Sequence, residues 1–404
     1  MSNSLIVGDL HIGKGLSIGK PGVGNNYNSR IIDQLNLLNW ITDVVHEKNV
    51  DRIILTGDIF EDLKPPYYQS KLFIDWLKRI ESDGIDIHII IGNHDITRSG
   101  ATIISPVLDL INSCDFQNVY IYYNIETIET ELVDFTFIPF RDRRSLQCET
   151  HGEALSIIKN CLEFEVSAIS KMKKKVIVGH LALEGAIYVG DECDDSLNEL
   201  ICPLSMFTDY DYTWMGHVHR PQVKSETPFI AHTGSLDLSD FGETDHTKNL
   251  ILINPKSDDF FENIPVPSRP LRRLKINVAN KDINSTEYVM EIISGQHEGS
   301  SYKNAIVKIE ITLCGEEIEN INLDKVTEFI YSLGAYYISS ITQSRQISVI
   351  AVDQKDSVDN SIDPKSAVKL YSEYISNDDL EKSQFILLCN SIIDECKEKS
   401  RETN

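Results

Sequence analysis

Short β-branched runs alternate with longer stretches of helical period through the first two thirds of the chain. Runs at residues 5–7, 52–56, 86–91, 135–138, 175–178, 212–215, 229–231 and 250–253 read as strands. Segments at about 29–47, 68–82, 102–113 and 152–166 carry the spacing of amphipathic helices. In the first helix Ile31, Ile32, Leu35, Leu38, Trp40, Ile41 and Val45 make a broad apolar face, which should pack on a sheet. Alternation of this kind predicts a layered α/β domain.

A proline-rich stretch at 254–270 reads as a linker or a tightly tied crossover. A smaller α+β unit follows, with strands expected at 274–278, 305–312, 335–341 and 347–352 and helices at 285–294 and 324–333. A polar segment, 353–363, precedes two amphipathic helices at 364–375 and 378–397. The expected division is 1–260 for the main domain, 261–352 for a cap and 353–404 for a linker and helical tail.

The 404 residues carry 38 Lys and Arg against 62 Asp and Glu, a formal charge of −24. Bulk charge therefore opposes nonspecific binding to nucleic acid, and any contact with phosphates needs local basic groups, metal or a partner. The eight cysteines are scattered without a C-x-x-C pair, as expected of reduced thiols. No apolar run approaches the roughly 20 residues of a bilayer span. Met1 leads directly into a strand-like run, so a cytoplasmic protein with no membrane contact is expected.

The chemistry lies at strand ends. The run at 5–7 enters Gly8-Asp9-Leu10-His11, and that at 52–56 enters Gly57-Asp58. Three others enter Gly92-Asn93-His94-Asp95, Gly179-His180 and Gly216-His217-Val218-His219. Five times an apolar strand meets glycine and then a carboxylate, imidazole or amide, which lets polar side chains converge at the carboxyl edge of a sheet. Asp9, His11, Asp58, Asn93, His180, His217 and His219 mix nitrogen and oxygen donors without thiolate. That set suits Mn, Fe or Zn, and seven donors fit two ions sharing a bridging carboxylate.

The ordered motifs resemble the calcineurin-like metallophosphoesterase superfamily. Its pattern is D-x-H, then GD, GNH[DE], H and GHxH. Gly57-Asp58-Ile59-Phe60-Glu61 with Pro65-Pro66, Gly216 through Gln222, His232-Thr233-Gly234-Ser235-Leu236 and Asp240-Phe241-Gly242-Glu243 are similar to its SbcD branch of DNA double-strand-break nucleases. Within that branch the chain looks most like the recombination endonuclease subunits of tailed phages. The resemblance implies an α/β/α fold with a β-sandwich core, a small α+β cap and C-terminal helices that grip an SbcC-type ATPase.

Carried over, the resemblance implies that Asp9, His11 and His219 hold one ion and Asn93, His180 and His217 the other, with Asp58 bridging. Two divalent ions, Mn(II) with Mg as the alternative, would activate water and neutralise phosphoryl charge. His94 would protonate the departing sugar oxygen. Many family members carry a second histidine where this chain has Glu61, and that carboxylate is expected to orient His94. Arg98 and Arg220 flank the metal motifs and are expected to contact DNA phosphate, ahead of the basic clusters at 141–144, 171–175 and 269–273.

The implied function is a DNA nuclease, 3′ to 5′ on duplex ends and endonucleolytic on single strands, acting as a homodimer with its ATPase partner. In the last helix Leu380, Phe385, Ile386, Leu388, Ile392 and Ile393 are the expected partner face. A phosphoprotein phosphatase would show GDxxDRG and GNHE, which this chain lacks. A small-phosphodiester hydrolase and a noncatalytic DNA-end scaffold are the alternatives. His46, His88, His151, His246 and His297 are read as structural or surface histidines, and His232 as one to watch.

Overall fold

The computed structural model describes residues 3–23, 26–99, 102–188, 199–279, 284–295, 302–315, 318–346, 365, 368, 371–372 and 379–402. Two units emerge, Met1–Ile347 and Ser348–Asn404.

The first unit begins with β1 (Asn3–Val7), α1 (Ser29–Glu47), β2 (Val50–Leu55), α2 (Tyr67–Ser82) and β3 (Asp86–Ile90). A small hairpin of β4 (Thr97–Ser99) and β5 (Thr102–Ile104) leads to α3 (Pro106–Asn112). Next come β6 (Val119–Tyr122), β7 (Glu126–Ile128), β8 (Val133–Ile138), α4 (His151–Ala168) and β9 (Lys174–Gly179). A short parallel pair, β10 (Ala182–Leu183) and β11 (Ile201–Cys202), precedes β12 (Tyr212–Met215), β13 (Gln222–Glu226), β14 (Phe229–His232), β15 (Asn249–Ile253) and β16 (Phe261–Pro265).

These strands form two mixed six-stranded sheets, ordered β16-β15-β1-β2-β3-β6 and β13-β14-β12-β9-β8-β7. Between them lies one apolar core, in which Ile6, Ile54 and Ile90 of the first sheet meet Phe135, Phe137, Val178 and Trp214 of the second. The first sheet turns its other face to α1, α2 and α3, and the second turns its own to α4. The central strands β1, β2, β3, β9 and β12 are buried on both faces, which is why they read as unbroken apolar runs. Asn28 caps α1, its side chain accepting from the Arg30 backbone N–H at 2.9 Å.

Two expected boundaries move. The helix expected at 102–113 starts only at Pro106, because proline drives the preceding Ser105 into extended backbone (φ −119°, ψ 86°). Residues 102–104 pair as a strand instead. The stretch read as linker contains β16, which pairs antiparallel with β15, so the first sheet runs past 260 to Pro265. Pro265 is tolerated because β16 is an edge strand.

Where a separate cap is expected, the first unit continues with β17 (Leu271–Val278), α5 (Ser285–Gly295), β18 (Ile306–Cys314), α6 (Leu323–Ser332) and β19 (Tyr337–Gln346). These three strands are parallel, in the order β17-β18-β19, with their own core of Ile276, Val289, Ile309 and Ile330 among others. Leu238 and Phe241 pack with Leu271 and Ile306 at the seam between this part and the two larger sheets. There Asp33 of α1 accepts from Arg269 at 2.6 Å and from the buried Arg30 at 2.7 Å, while the Arg269 guanidinium lies 4.0 Å from the Tyr336 ring centre. The strand expected at 347–352 and the polar segment at 353–363 lie outside the described residues.

The second unit contains α7 (Asp379–Glu402). Phe385 lies 6.3 Å from Tyr371, while Leu387, Leu388 and Ile392 are exposed. Most of the helix expected at 364–375 lies outside the described residues. Among the described residues, no helix is long and apolar enough to cross a membrane.

Candidate metal centre

The carboxyl ends of β1, β2 and β3 in one sheet, and of β9 and β12 in the other, open onto the same place. Glycine makes the approach possible. A Cβ on Gly92 would fall on Asp58 Oδ1, and one on Gly216 on Asp9 Oδ1, each well inside contact distance. Three of the side chains so delivered sit on left-handed backbone: His11 (φ 43°), Asp58 (φ 46°) and His217 (φ 81°). Such conformations are unfavourable for non-glycine residues, and here they aim polar groups at one cleft.

Asp9, His11, Asp58, His180 and His219 are buried, while Asn93, His94 and His217 are half-buried at the open side. Asp9, His11 and His219 bring donor atoms within 4.8 Å of one another, and so do Asp9, Asp58 and His180. His11 Nε2 lies 2.9 Å from His219 Nε2 and 3.4 Å from Asp58 Oδ2. On the other side His180 Nε2 is 2.9 Å from Asn93 Oδ1 and 3.3 Å from Asp58 Oδ2. His217 Nδ1 is 2.9 Å from the same Asn93 oxygen. Asp58 thus lies between two clusters of donors.

The outward nitrogen of each imidazole faces an oxygen. His11 Nδ1 is 2.9 Å from Glu61 Oε2, and His180 Nδ1 is 2.9 Å from the Thr56 carbonyl. His217 Nε2 is 2.5 Å from Glu199 Oε1, and His219 Nδ1 is 3.8 Å from Glu243 Oε1. Carbonyls and carboxylates accept only, so at His180 and His217 the ring proton sits on the outward nitrogen and the inward one offers a lone pair, while the charges of Glu61 and Glu243 beside the outward nitrogens of His11 and His219 favour the same tautomer. Lone pairs of four imidazoles, an amide oxygen and carboxylates facing one another are reconciled by cations between them, and the outward oxygens are the supports such ligands take. The donor set fits two divalent ions.

The carboxylates make the centre favour positive charge at His180, a proton on the inward nitrogen that a metal ion would displace. Burial works against charge on His180, but Asp58 and Asp9 outweigh it and raise its pKa to about 9. Burial likewise opposes the Asp58 carboxylate, yet His180, His11 and His94 hold its pKa well below the usual carboxylate range. At His11 burial prevails over Glu61 and lowers the pKa to about 4.

His94 stands beside the donors, its ring 4.9 Å from His11. Its backbone N–H donates to Asp58 Oδ1 at 2.8 Å, and its Nδ1 lies 2.8 Å from the Glu61 carbonyl oxygen. The Glu61 side chain goes elsewhere, to His11 Nδ1 and to Lys14 Nζ at 3.2 Å. The expected pairing of the Glu61 carboxylate with His94 is therefore corrected: the main chain of Glu61 orients His94, and its carboxylate backs His11. The reason is local, because the bridge between Ile12 and Phe60 brings Glu61 alongside the strand end that bears His11.

Other motif residues act as supports. The Asp95 carboxylate accepts from the Ile59 and Gly92 backbone N–H groups at 2.9 and 2.8 Å, joining the loops after β2 and β3. Burial and the nearby Asp58 charge push its pKa up to about 7. Lys248, fully buried, donates to Glu243 at 3.0 Å, to the His219 carbonyl at 2.7 Å and to Ser235 Oγ at 2.8 Å. This gives the segments Gly234-Ser235 and Asp240 to Glu243 their purpose. His232 is buried beneath the site, its Nδ1 3.2 Å from the Met215 carbonyl and 3.1 Å from that of Gly216, and it props the loop that carries His217.

Arg220 is exposed directly after His219, and among the described residues no side-chain partner engages it. Arg98 lies on β4, its backbone opposite Ile103, and its side chain is outside the described residues. The basic clusters are largely committed internally. Arg141 donates to the Phe140 and Tyr123 carbonyls, Lys173 pairs with Asp134 and Lys174 with Asp211. Arg269 and Arg273 pair with Asp33 and Glu310.

Sequence reasoning missed Glu199 altogether. It sits in an acid-rich stretch with no strand-and-glycine context, and only the fold shows that it meets His217.

The model of the calcineurin-like phosphoesterase family matches residues 3–221, from β1 to just beyond His219. Among curated proteins, the SbcD component of the nuclease SbcCD of Staphylococcus epidermidis is 25% identical over 283 residues, covering 66% of this chain and 70% of that protein. Its namesake in Escherichia coli is 24% identical over 286 residues, with 64% and 70% covered. A crystal structure of a dimetal phosphatase from Danio rerio has a TM-score of 0.38 and 11% identity, covering 66% of this chain and 98% of that one. Two facing sheets, a donor-lined cleft at their carboxyl edges and a family match across more than half of the sequence agree: the chain belongs to the calcineurin-like phosphoesterases.

Proposed function

We propose that this protein is a two-metal DNA nuclease, cleaving 3′ to 5′ on duplex ends and endonucleolytically on single strands, in complex with an SbcC-type ATPase. The observation that carries the reading is the convergence of inward imidazole nitrogens at the strand ends, His11 and His180 on Asp58, His180 and His217 on Asn93, and His219 on His11, while the outward nitrogens of His180 and His217 meet the Thr56 carbonyl and Glu199. The nuclease names of the two bacterial relatives support nucleic acid as the substrate.

Asp9, His11, His219 and Asp58 would hold one ion, and Asp58, Asn93, His180 and His217 the other. Bound there, divalent ions supply Lewis-acid neutralisation of phosphoryl charge and lower the pKa of water. Mixed nitrogen and oxygen donors suit Mn, Fe or Zn, and Mn(II) is the proposed ion. His94 moves the proton. With Nδ1 held by the Glu61 carbonyl, Nε2 is the nitrogen that gives a proton to the departing sugar oxygen. Arg220, charged and uncommitted, meets a phosphate beside the cleft.

The cap bears on DNA in this reading, and α7 docks on the coiled coil of the ATPase, for which the exposed Leu387, Leu388 and Ile392 are suited. Homodimerisation through helices of the main domain belongs to the same reading.

The test is incubation of the purified protein, alone and with its ATPase partner, with Mn(II) and end-labelled duplex DNA. Asp58→Ala and His94→Ala serve as controls. Cleavage that is lost in both variants and stimulated by ATP supports the proposal. Inert DNA with turnover of bis-nitrophenyl phosphate moves the function to another branch of phosphoesterases.

A further inference from the structure

We propose that Glu199 is the positioning residue of the ion site formed by Asn93, His180 and His217, an inference that rests on the two-metal reading above. His217 differs from its fellow ligands. His11, His180 and His219 turn Nε2 inward and are at most 4% exposed, whereas His217 turns Nδ1 inward and is half-buried. Its backbone also has the most positive φ of the three so placed, 81°.

A ring that ligates through Nδ1 has its far edge directed away from the ion, and among the described residues the hydrogen-bond partner at that edge of His217 is Glu199. Around His217 the rings of His180 and Phe140 lie at 5.3 and 6.0 Å, and neither offers its Nε2 a hydrogen-bond acceptor. Glu199 supplies the missing restraint. Its Oε1 is 2.5 Å from His217 Nε2, the pair is 13% and 15% exposed, and Tyr188 donates its hydroxyl to the same oxygen at 3.4 Å. The carboxylate keeps the proton on Nε2 and the lone pair on Nδ1, and its negative charge makes that lone pair a stronger donor. Glu199, two residues ahead of β11, is thereby coupled to the metal centre, although it lies in none of the strand-end motifs. A surface ion pair of the ordinary kind would contribute little, and its loss would leave metal binding unchanged.

The decisive measurement is titration of chelator-treated full-length protein with Mn(II) by calorimetry, with thermal unfolding in chelator as a fold control. Wild type should bind two ions. Glu199→Ala should weaken one of them by about 10- to 100-fold and leave the other and the thermal midpoint in place. Glu199→Gln, whose amide oxygen still accepts from Nε2–H, should fall between the two. Adding Glu199→Ala to His217→Ala should cost nothing further. Wild-type affinity for both ions in Glu199→Ala overturns the assignment while leaving the two-metal reading intact. Equal weakening of both sites with a lowered midpoint also overturns it, as a general structural defect. A wild-type protein that binds no Mn(II) removes the two-metal reading itself and this inference with it.

Discussion

Glu61 serves two histidines through two different groups: its carboxylate lies 2.9 Å from His11 Nδ1, and its carbonyl oxygen 2.8 Å from His94 Nδ1. Substitution can therefore separate the two roles. Glu61→Ala keeps the carbonyl and loses the support of His11, so the Mn(II) concentration for half-maximal cleavage should rise about 10- to 100-fold. The rate at saturating Mn(II) should change much less. Glu61→Gln should recover most of the affinity. An unchanged Mn(II) dependence in Glu61→Ala would show that the carboxylate contributes nothing to the metal site.

His94 should behave in the opposite way. Its backbone N–H supports Asp58, and that bond survives truncation of the side chain. His94→Ala is expected to bind metal as wild type does and to lose about 100- to 10,000-fold in turnover. A wild-type rate in this variant would exclude the imidazole as the acid.

Arg220 offers a test of DNA contact that leaves the ligands untouched. If its guanidinium neutralises one phosphate, Arg220→Gln should lower the slope of log affinity against log salt by about one and weaken binding alike for all sequences. Fluorescence anisotropy with labelled duplex across a salt series provides the number. A slope equal to wild type would place Arg220 off the DNA path.

A further prediction concerns stability. Burial, aided by the Arg52 charge, lowers the pKa of His88 to about 3, while Nδ1 meets the Tyr122 hydroxyl at 2.8 Å. The folded state keeps this ring neutral, whereas the unfolded chain takes up a proton below its ordinary value of about 6.5. The contribution is complete above that pH and is lost progressively as pH falls toward 3. Between pH 7 and 5.5 the difference is about 1 kcal/mol. Urea unfolding in chelator at the two pH values should show His88→Gln losing that much less stability than wild type.

Much of the centre was legible because the chain marks it. The seven donors cluster where strands end in glycine, a local signature readable from residue order alone. The bounds of α1 fared similarly, helped by the polar cap at Asn28, but its buried side is only partly the expected one: Ile31, Leu38, Ile41 and Val45 are buried, Ile32, Leu35 and Trp40 are half-buried, and Arg30, Asp33 and Gln34 are buried instead. What escaped depends on distance along the chain. Glu199 meets His217 only because β10 and β11 fold beside the centre. The carboxylate of Glu61 chose His11 over His94 through a strand bridge that no spacing reveals. The strand β16 escaped for another reason: an exposed edge strand needs little apolar pattern, so Phe261 to Pro265 read as part of a linker or a tightly tied crossover.

The core between the two sheets is also a ruler for the chemistry. Each proposed ion site draws ligands from both sheets, one from β1, β2 and β12, the other from β2, β3, β9 and β12. Sliding one sheet over the other by about 0.5 Å, the tolerance within which such constellations must be held, would spoil both sites together. The interlocked side chains of Ile6, Ile54, Phe137, Val178 and Trp214 resist that slide, though none of them is a metal ligand. Fine repacking of this seam should therefore register in cleavage before it registers in unfolding, and the calibration of the active site belongs partly to residues that evolution could tune from deep inside the sandwich.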